Sequence, residues 1–350
     1  MQITFLVGNG FDISIGIDSS YRCFYQWYFK QPSENNYIAA FKEEIKKDIE
    51  NGGENWSDFE IGLGKYTENF TLETADQFIE CYEDARESII KYLSIERTKV
   101  NVDKLSEGEI EKLKQGFTKF YQDLNPRERR YFDKYSMPGL TENIVYNIIS
   151  FNYTDALDKC VQQLGNKALA TWTSNNIVRT ARINSNVIHV HGTTEFYPIF
   201  GVNDVTQLSN QSLLENRHIH RLMLKPDSVE FLGEFWHEDA EKIIDDSTII
   251  CIWGMSLGES DYRWWNKIYS WLKVKSNHCL ILFWYTDKKI DNLSIYKRDL
   301  AIDAALDKFY SVLGLSQKER DEIASKIFVV LNTQNVLSIN LTSNLEDVEK

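Results

Sequence analysis

Short runs of apolar residues recur along the chain and predict the strands of a β-sheet. The runs cover residues 3–7, 145–151, 187–190, 199–202, 249–253, 280–285 and 327–331. Several of them are apolar at nearly every position, which is typical of parallel strands covered on both faces. Helical patterns lie between the runs. The chain is therefore predicted to fold as an α/β protein with a mainly parallel sheet and helices on both faces.

The stretch between the first two predicted strands is much longer than the single crossover helix that a parallel connection needs. From about residue 19 to residue 143, apolar residues recur at spacings of three and four, which predicts one helix after another. We interpret this stretch as a large helical insertion that covers one end of the sheet. The predicted organisation is an α/β domain (residues 1–18 and 144–332), a helical cap (residues 19–143) and a polar C-terminal tail (residues 333–350).

The composition indicates which binding partners and which cellular compartment to expect. The 350 residues carry a formal net charge of −13, which disfavours broad binding of nucleic acid because that needs a field of Lys and Arg. The five cysteines show no metal-binding spacing, so no metal ligand is expected among them. No stretch reaches the ~18 consecutive apolar residues of a membrane span, and the N-terminus lacks a basic signal-peptide region. We expect a cytoplasmic protein that does not bind membranes.

A glycine pair follows the first predicted strand, in the run Gly8-Asn9-Gly10-Phe11-Asp12. Glycines at such a strand-to-helix turn let a phosphate or a ribose approach the backbone closely. The run lacks the third glycine of the dinucleotide-binding fingerprint, so its spacing supports a plain tight turn capped by Asp12 equally well. We take these five residues as candidates for ligand contact.

Polar residues also follow two later strands. Asn152 comes directly after the second strand, where open α/β sheets bind ligands, although it or a neighbour could instead cap the next helix. His189 and His191 are two residues apart on a strand and so are expected to point to the same face. His191 stands at the strand end beside a glycine and can act as a general acid or base. We expect a catalytic role for His191 and a structural role for His189.

A further candidate loop, residues 254–258 (GMSLG), follows the fifth predicted strand. Ser256 can hold a ribose or phosphate oxygen there, and Asp261 just beyond can accept hydrogen bonds from ribose hydroxyls or cap the next helix. The letters G-x-S-x-G also match a nucleophile elbow, but that motif needs an acid and a histidine later in the chain, and His278 alone follows. We expect Gly254, Ser256 and Asp261 to contact the ligand.

All these segments share one position, because each comes just after an apolar strand. A doubly wound sheet brings such strand ends together along one edge. We therefore expect the segments that begin at Gly8, Asn152, His191 and Gly254 to meet in one crevice. Because Asn152 and His191 lie at strand ends outside the expected core, replacing either with alanine is expected to cost little stability.

Together these motifs resemble the AbiH family of bacteriophage abortive-infection proteins. The segments that carry the resemblance are GNGFD at 8–12, WxDFE at 56–60, FNYT at 151–154, HxHG at 189–192, GxND at 201–204 and GxSLGxxD at 254–261. Their order and spacing match the family through about residue 270. The resemblance implies an antiphage protein whose action stops phage replication.

The family pattern is in turn similar to sirtuin-like domains, which implies a Rossmann-like sheet and a nucleotide-binding domain that takes NAD. By that similarity Asn152 and His191 correspond to the catalytic Asn and His, while Gly8, Gly10 and Ser256 would seat phosphates and ribose. The zinc-binding cysteines of sirtuins have no counterpart here, so the similarity implies hydrolysis of the nicotinamide–ribose bond rather than protein deacetylation. NAD would be the substrate, and no other cofactor is expected.

Two alternatives stay open from the residues themselves. A metal-dependent nuclease or nucleotide-cleaving enzyme could use Asp12, Glu60, Asp155 and Asp261 as Mg²⁺ ligands, with Glu60 supplied by the helical stretch. A non-catalytic sensor could use the crevice only to bind a nucleotide. In each case we expect a small nucleotide as ligand and a phage-derived trigger as partner, and assembly into a homo-oligomer is left open.

Overall fold

The structure, a computed structural model, describes residues 1–53, 56–135, 141–286, 294–333, 335–337, 339 and 341. The strands are β1 (Gln2–Val7), β2 (Ile144–Ser150), β3 (Ala170–Ser174), β4 (Ile177–Ile183), β5 (Ile188–His189), β6 (Ile249–Trp253), β7 (Cys279–Trp284) and β8 (Ile327–Leu331). The helices are α1 (Gly10–Ser14), α2 (Tyr21–Tyr28), α3 (Asn36–Glu50), α4 (Phe59–Tyr66), α5 (Ala75–Thr98), α6 (Glu107–Thr118), α7 (Pro126–Tyr135), α8 (Ala156–Gln162), α9 (Arg217–Met223), α10 (Lys225–Leu232), α11 (Trp236–Asp246), α12 (Tyr262–Val274), α13 (Ile295–Val312) and α14 (Gln317–Ile323).

The eight strands form one sheet in the order β3-β4-β2-β1-β6-β7-β8, with β5 pairing beside β2. Every pairing is parallel except that of β3 with β4. The mixed α/β fold with a mainly parallel sheet, predicted from the apolar runs, is thereby confirmed. The register aligns the carboxyl ends of strands β1, β2 and β6, because Val7 of β1 pairs with Ser150 of β2 and with Trp253 of β6.

Alternate residues of the central strands pack into two apolar layers, one on each face of the sheet. On β1, Phe5 lies in one layer, where it meets Phe117 of α6, and Leu6 lies in the other. The first layer also contains α1, α7 and α8, and the second contains α11 to α14. Because both faces are buried, the strand sequences are mostly apolar instead of alternating.

The described residues between β1 and β2 contain helices and no strand, but they pack in two different places. Residues 100–132 lie against the sheet, in the same layer as Phe5. Helices α2 to α5 form a separate group with residues 200–224, rich in aromatic side chains, which we call the helical cluster. The stretch 19–143 thus covers one face of the sheet as well as its edge, whereas the sequence pattern predicts cover of the edge.

Two features differ from the strands expected from sequence. Strands β3 and β4 form an unpredicted hairpin, whose two-residue turn places Asn175 and Asn176 at φ of 52° and 60°. Asparagine tolerates this left-handed region, so the Asn-Asn pair between alternating residues was an available hairpin signal. Conversely, residues 199–202 do not form a strand, because their backbone makes only an isolated bridge from Val202 to Leu224.

The predicted polar tail contains buried residues where the structure describes it. Val336, Leu337 and Ile339 are fully buried in the layer that contains Phe117. Gly116 makes this approach feasible, since a Cβ there would lie 2.9 Å from the Leu337 backbone nitrogen. Residues 342–350 of the predicted tail lie outside the described residues. No helix in the described ranges combines the length and apolarity needed to cross a membrane.

Candidate active site at the carboxyl edge of the sheet

A cavity of about 640 Å³ lies at the carboxyl ends of β1, β2 and β6, between the sheet edge and the helical cluster. The chain order reverses at β1, which has β2 on one side and β6 on the other, and ligands of open α/β sheets bind at such a point. The structure brings most of the predicted site residues to this cavity. Those that line it are Gly8, Asn9, Asp12, Asn152, His191, Ser256 and Asp261.

The glycines at the sheet edge hold two loops in close contact. A Cβ on Gly10 would lie 2.5 Å from the Cα atom of Gly254, and Gly254 itself has a φ of +67°. The backbone N–H groups of Gly8 and Gly10 donate to the carbonyls of Trp253 (3.0 Å) and Gly254 (2.9 Å). These N–H groups are therefore not free for a phosphate. Gly10, Phe11 and Gly254 lie outside the described cavity wall, and Phe11 is fully buried in the sheet core.

Asp12 and Asn152 form a buried hydrogen-bonded group on the cavity wall. Asn152 donates from Nδ2 to Asp12 Oδ1 at 3.2 Å, and Thr154 donates from Oγ1 to Asp12 Oδ2 at 2.8 Å. Burial raises the pKa of Asp12 to about 7. The other end of the Asn152 amide, Oδ1, is buried and has no hydrogen-bond partner. A buried acceptor without a hydrogen bond lowers the stability of the protein, so this atom is a candidate to accept a hydrogen bond from a ligand.

His189 has both ring nitrogens engaged. Nδ1 lies 2.9 Å from the Asn152 carbonyl oxygen, and Nε2 lies 2.8 Å from Asp158 Oδ2 on α8. Burial alone would lower the pKa of His189, but the hydrogen bond and charge of Asp158, together with the Asn152 carbonyl and Asp12, outweigh it and the pKa is raised. The ring does not line the cavity within the described residues. It fixes the loop that carries Asn152, which is the structural role expected from sequence.

His191 has different partners from His189. Strand β5 ends at His189, and the chain turns at Gly192, whose φ is +69°. His191 Nε2 lies 3.0 Å from Asp261 Oδ1, and the ring packs edge-on against Phe151 with a centroid distance of 5.4 Å. An imidazole oriented by a carboxylate at the wall of a cavity is the usual arrangement of a general base.

A buried lysine joins this pair to the helical cluster. Lys225 Nζ lies 3.2 Å from Asp261 Oδ1 and 2.8 Å from Glu60 Oε2 of α4. Burial alone would lower the pKa of Lys225, but Asp261 and Glu60 outweigh it and the pKa is raised. Burial likewise opposes ionisation of Asp261, yet Lys225 and His191 hold the pKa of Asp261 well below its usual range. Burial raises the pKa of Glu60 in spite of Lys225, so Asp261 ionises more readily than Glu60.

The segment 56–60 serves both as a helix start and as part of the site. Asp58 Oδ1 accepts the N–H groups of Glu60 and Ile61 and so caps α4, while Asp58 Oδ2 accepts from Ser260 Oγ at 2.8 Å. The hydroxyl of Tyr153 lies 3.2 Å from Glu60 Oε1. These contacts connect α4 to the loops that follow β2 and β6.

A model of the bacteriophage abortive infection AbiH family matches residues 4–285. The chain belongs to this family. Membership confirms the resemblance given by the sequence motifs and supports an antiphage, abortive-infection role. No curated protein matches the chain. The matched span of the AbiH protein includes all the side chains described above at the cavity and around Lys225.

Sequence reasoning on this AbiH protein missed Lys225. The residue precedes Pro226 at the start of α10, far from every apolar strand, and nothing in its local sequence distinguishes it from a surface lysine. Its residue exposure of 1% and its position beside Glu60 arise only from the packing of α10 against α4 and the β6 loop. Lys225 and Glu60 are 165 residues apart, so no local sequence pattern contains both.

Burial also corrects one expectation for the AbiH site. Asn152 and His191 are 3% and 4% exposed, so both are buried although they stand at strand ends. Alanine at either position would remove buried hydrogen bonds, which costs more stability than the sequence argument allows. Substitutions that keep size and part of the hydrogen bonding are the better tests of function.

The two other chemistries considered for the AbiH site find less support in the geometry. Ser256 lines the cavity, but His278 does not, and its Nδ1 lies 2.7 Å from the Trp271 carbonyl oxygen. Among the described residues, no three His, Cys, Asp or Glu side chains form a group arranged to hold a metal ion. Asp155, one of the four carboxylates considered for Mg²⁺, is instead bound to Arg97 at 2.6 Å.

Proposed function

We propose that this AbiH protein hydrolyses NAD at the nicotinamide–ribose bond, with Asn152 and His191 as catalytic residues. The observation that carries the proposal is that one cavity is lined both by an oriented histidine and by Asn152, whose buried Oδ1 has no hydrogen-bond partner. The similarity of these segments to sirtuin-like domains points to the same chemistry.

The strand order supports a nucleotide ligand. Read outward from β1, the sheet runs through β2 to β4 and β5 on one side and through β6, β7 and β8 on the other. With β5 taken as the third strand, this is the third-second-first-fourth-fifth-sixth order of Rossmann-like dinucleotide-binding sheets. We propose that the sheet is of this type, with the helices before β2 inserted into it. A cavity of about 640 Å³ is in the size range of cofactor sites.

The charges around the cavity indicate where a phosphate would bind. Four carboxylates line the described wall, and Arg22 of α2 is the one Lys or Arg side chain that does so. Arg22 makes no hydrogen bond or ion pair within the described part of the chain. Because the N–H groups of Gly8 and Gly10 are already used, Arg22 is the group we assign to the phosphates of NAD. Asn9 and Ser256 then face the riboses.

The reaction needs few groups, because the cationic nicotinamide of NAD is already a good leaving group. In the proposed step, the C–N bond breaks with its electron pair going to the nicotinamide ring, which leaves neutral. A water oxygen bonds to the ribose carbon, and its proton passes to His191. Asn152 Oδ1 accepts a hydrogen bond from this water or from a ribose hydroxyl and so orients it. Depletion of NAD by this route would stop phage replication in the infected cell.

The decisive experiment follows free nicotinamide and ADP-ribose by chromatography after the purified protein is mixed with NAD. We expect both products in equal amounts from the wild type and a rate ~10²–10⁴-fold lower from His191→Gln, with and without EDTA. Product formation that EDTA abolishes would favour the metal-dependent alternative. Tight binding of NAD without any product would favour the sensor. Either result would overturn hydrolysis as proposed.

A further inference from the structure

We propose that Asp12 is a positioning residue: its ionised carboxylate holds Asn152 by Nδ2, so that Oδ1 is the end of the amide left for a ligand. This inference rests on the proposed function for its catalytic meaning. Its structural content concerns the resting protein, where it can be measured without any reaction.

The main chain of Asn152 is fixed without Asp12. Its N–H donates to Ser150 Oγ at 3.2 Å, and its carbonyl oxygen lies 2.9 Å from His189 Nδ1. These bonds do not fix the side-chain amide, because half a turn of its plane exchanges Oδ1 and Nδ2 with almost no change of shape. A further contact must therefore select which of the two atoms is left for the ligand.

The carboxylate of Asp12 provides that contact. Oδ1 accepts from Asn152 Nδ2 at 3.2 Å, and Oδ2 accepts from Thr154 Oγ1 at 2.8 Å. An ionised carboxylate has no hydrogen to donate, so a reversed amide would place two acceptors against each other. Nδ2 therefore stays on Asp12, and Oδ1 of Asn152 stays on the other side, buried and without a partner in the described structure.

The charge on Asp12 weakens the fold, which indicates that it serves the site. Asp12 is 1% exposed, and burial raises its pKa to about 7. Because the pKa is about 3.9 in an unfolded chain, the fold favours the neutral acid, and the stability this provides is lost as pH rises through about 7. A neutral acid can donate as well as accept, so it does not distinguish the two ends of the amide.

Several neighbours keep the carboxylate accessible near neutral pH. Burial outweighs the groups that lower the pKa of Asp12, which are the Thr154 hydrogen bond, His189, Arg97 and the Asn152 hydrogen bond. The charged and titratable groups around Asp12 in the described structure are Arg97 of α5 with its partner Asp155, His189 of β5 with its partner Asp158, and Cys160 of α8. Burial raises the pKa of Cys160 to about 12, so this thiol stays neutral, whereas His189 also titrates and has to be separated by experiment.

The first test follows the side-chain amide of Asn152 in full-length protein labelled with ¹⁵N-asparagine. Its signals are assigned by their loss in Asn152→Ser. In the wild type we expect the amide proton shifts to move with a midpoint at about pH 7, as the carboxylate that accepts them is protonated. In Asp12→Asn, which keeps His189, we expect no such step.

A second variant keeps Asp12 and moves the step. Thr154→Val removes a hydrogen bond that lowers the pKa of Asp12, so the midpoint should lie at higher pH. A wild type without a step, or a step that persists unchanged in Asp12→Asn, would overturn the inference. The wild-type and Thr154→Val titrations decide if Asp12→Asn does not fold.

Activity and stability at pH 8 give the second readout. In Asp12→Asn both orientations of the Asn152 amide become accessible, so kcat for nicotinamide release should fall roughly two- to tenfold with KM changed less than about threefold. Urea unfolding should show this variant to be no less stable than the wild type, because it lacks the buried charge. Asp84→Asn is the matched control and should keep the wild-type kcat, because Asp84 accepts from the Tyr28 hydroxyl outside the described cavity wall.

The outcomes separate positioning from a purely structural role. Loss of both activity and stability in Asp12→Asn would assign Asp12 to the fold and overturn the inference. A wild type with the expected titration of Asn152 and no nicotinamide release would reject the hydrolase and leave the positioning role in place.

Discussion

The regions around His189 and His191 both contain an acid–histidine pair, but the two pairs have different roles. Both rings are buried and both have a carboxylate at hydrogen-bond distance, Asp158 for His189 and Asp261 for His191. His189 has a second partner, the Asn152 carbonyl oxygen, so neither of its nitrogens is free. His191 has a nitrogen without a partner among the described residues and lines the cavity.

An acid–histidine pair is therefore not by itself a sign of catalysis. A histidine whose nitrogens are both satisfied stabilises the fold, because its hydrogen bonds are made in the resting protein. A histidine with one nitrogen left for the ligand has capacity for proton transfer. Two residues of separation along the chain are enough to change one role into the other, since the strand ends between them.

The largest expected effect separates the two histidines by activity. His191→Gln keeps an amide donor for Asp261 but removes the free ring nitrogen, so nicotinamide release should fall ~10²–10⁴-fold. His189→Gln should keep the rate per folded molecule within about threefold and lose ~1–3 kcal/mol of stability, since one amide nitrogen cannot replace both ring hydrogen bonds. The measurements are chromatographic rates and urea unfolding of both variants. Equal losses of rate in the two variants would contradict the comparison.

A smaller effect is expected at Arg22, which lines the same cavity as His191. Replacing it with methionine removes one charge-assisted contact to phosphate, and affinity for NAD should weaken roughly tenfold, equivalent to about 1.4 kcal/mol. The kcat value should stay close to that of the wild type, because Arg22 binds and does not react. Calorimetry of NAD binding and steady-state kinetics measure the two quantities. Arg86→Met on α5, whose side chain pairs with Glu83 away from the described cavity wall, is the control.

The smallest expected effect concerns the pH dependence of stability at His189. Its pKa is raised in the folded protein, so the stability it provides is complete below the unfolded pKa of about 6.5 and is lost as pH rises through the folded value. One proton gives a slope of at most about 1.4 kcal/mol per pH unit. In Asp158→Asn this slope should shrink, because the acid that raises the pKa is gone.

Urea unfolding at pH 6 and pH 8 measures this slope as a difference between wild type and Asp158→Asn. The difference is needed because Asp12, whose pKa is raised to about 7, titrates in the same window and with the same sign. A slope that is unchanged by Asp158→Asn would show that His189 gains no stability from the acid.

The fold was largely accessible from the sequence because parallel strands buried on both faces are mostly apolar. Strand β6 was predicted at its observed bounds, and β1 and β2 within one residue at each end. The hairpin of β3 and β4 was missed, because half of its residues are polar and its turn signal is Asn-Asn instead of Asn-Gly. The apolar residues 199–202 predict a strand, but Phe200 and Val202 are buried in the helical cluster instead.

The candidate site, like the fold, could be predicted from the sequence only in part. Local sequence was enough to show which residues stand at strand ends, because an apolar run followed by Gly, Asn or His marks the place where a strand leaves the core. That was enough to place Asn152, His191 and Asp261 at one edge of the sheet. Lys225 and Glu60 join them only in the folded chain, because these two side chains are 165 residues apart in sequence. A buried ion pair has no local pattern: the low-dielectric surroundings that make it strong are created by packing, which no single segment encodes.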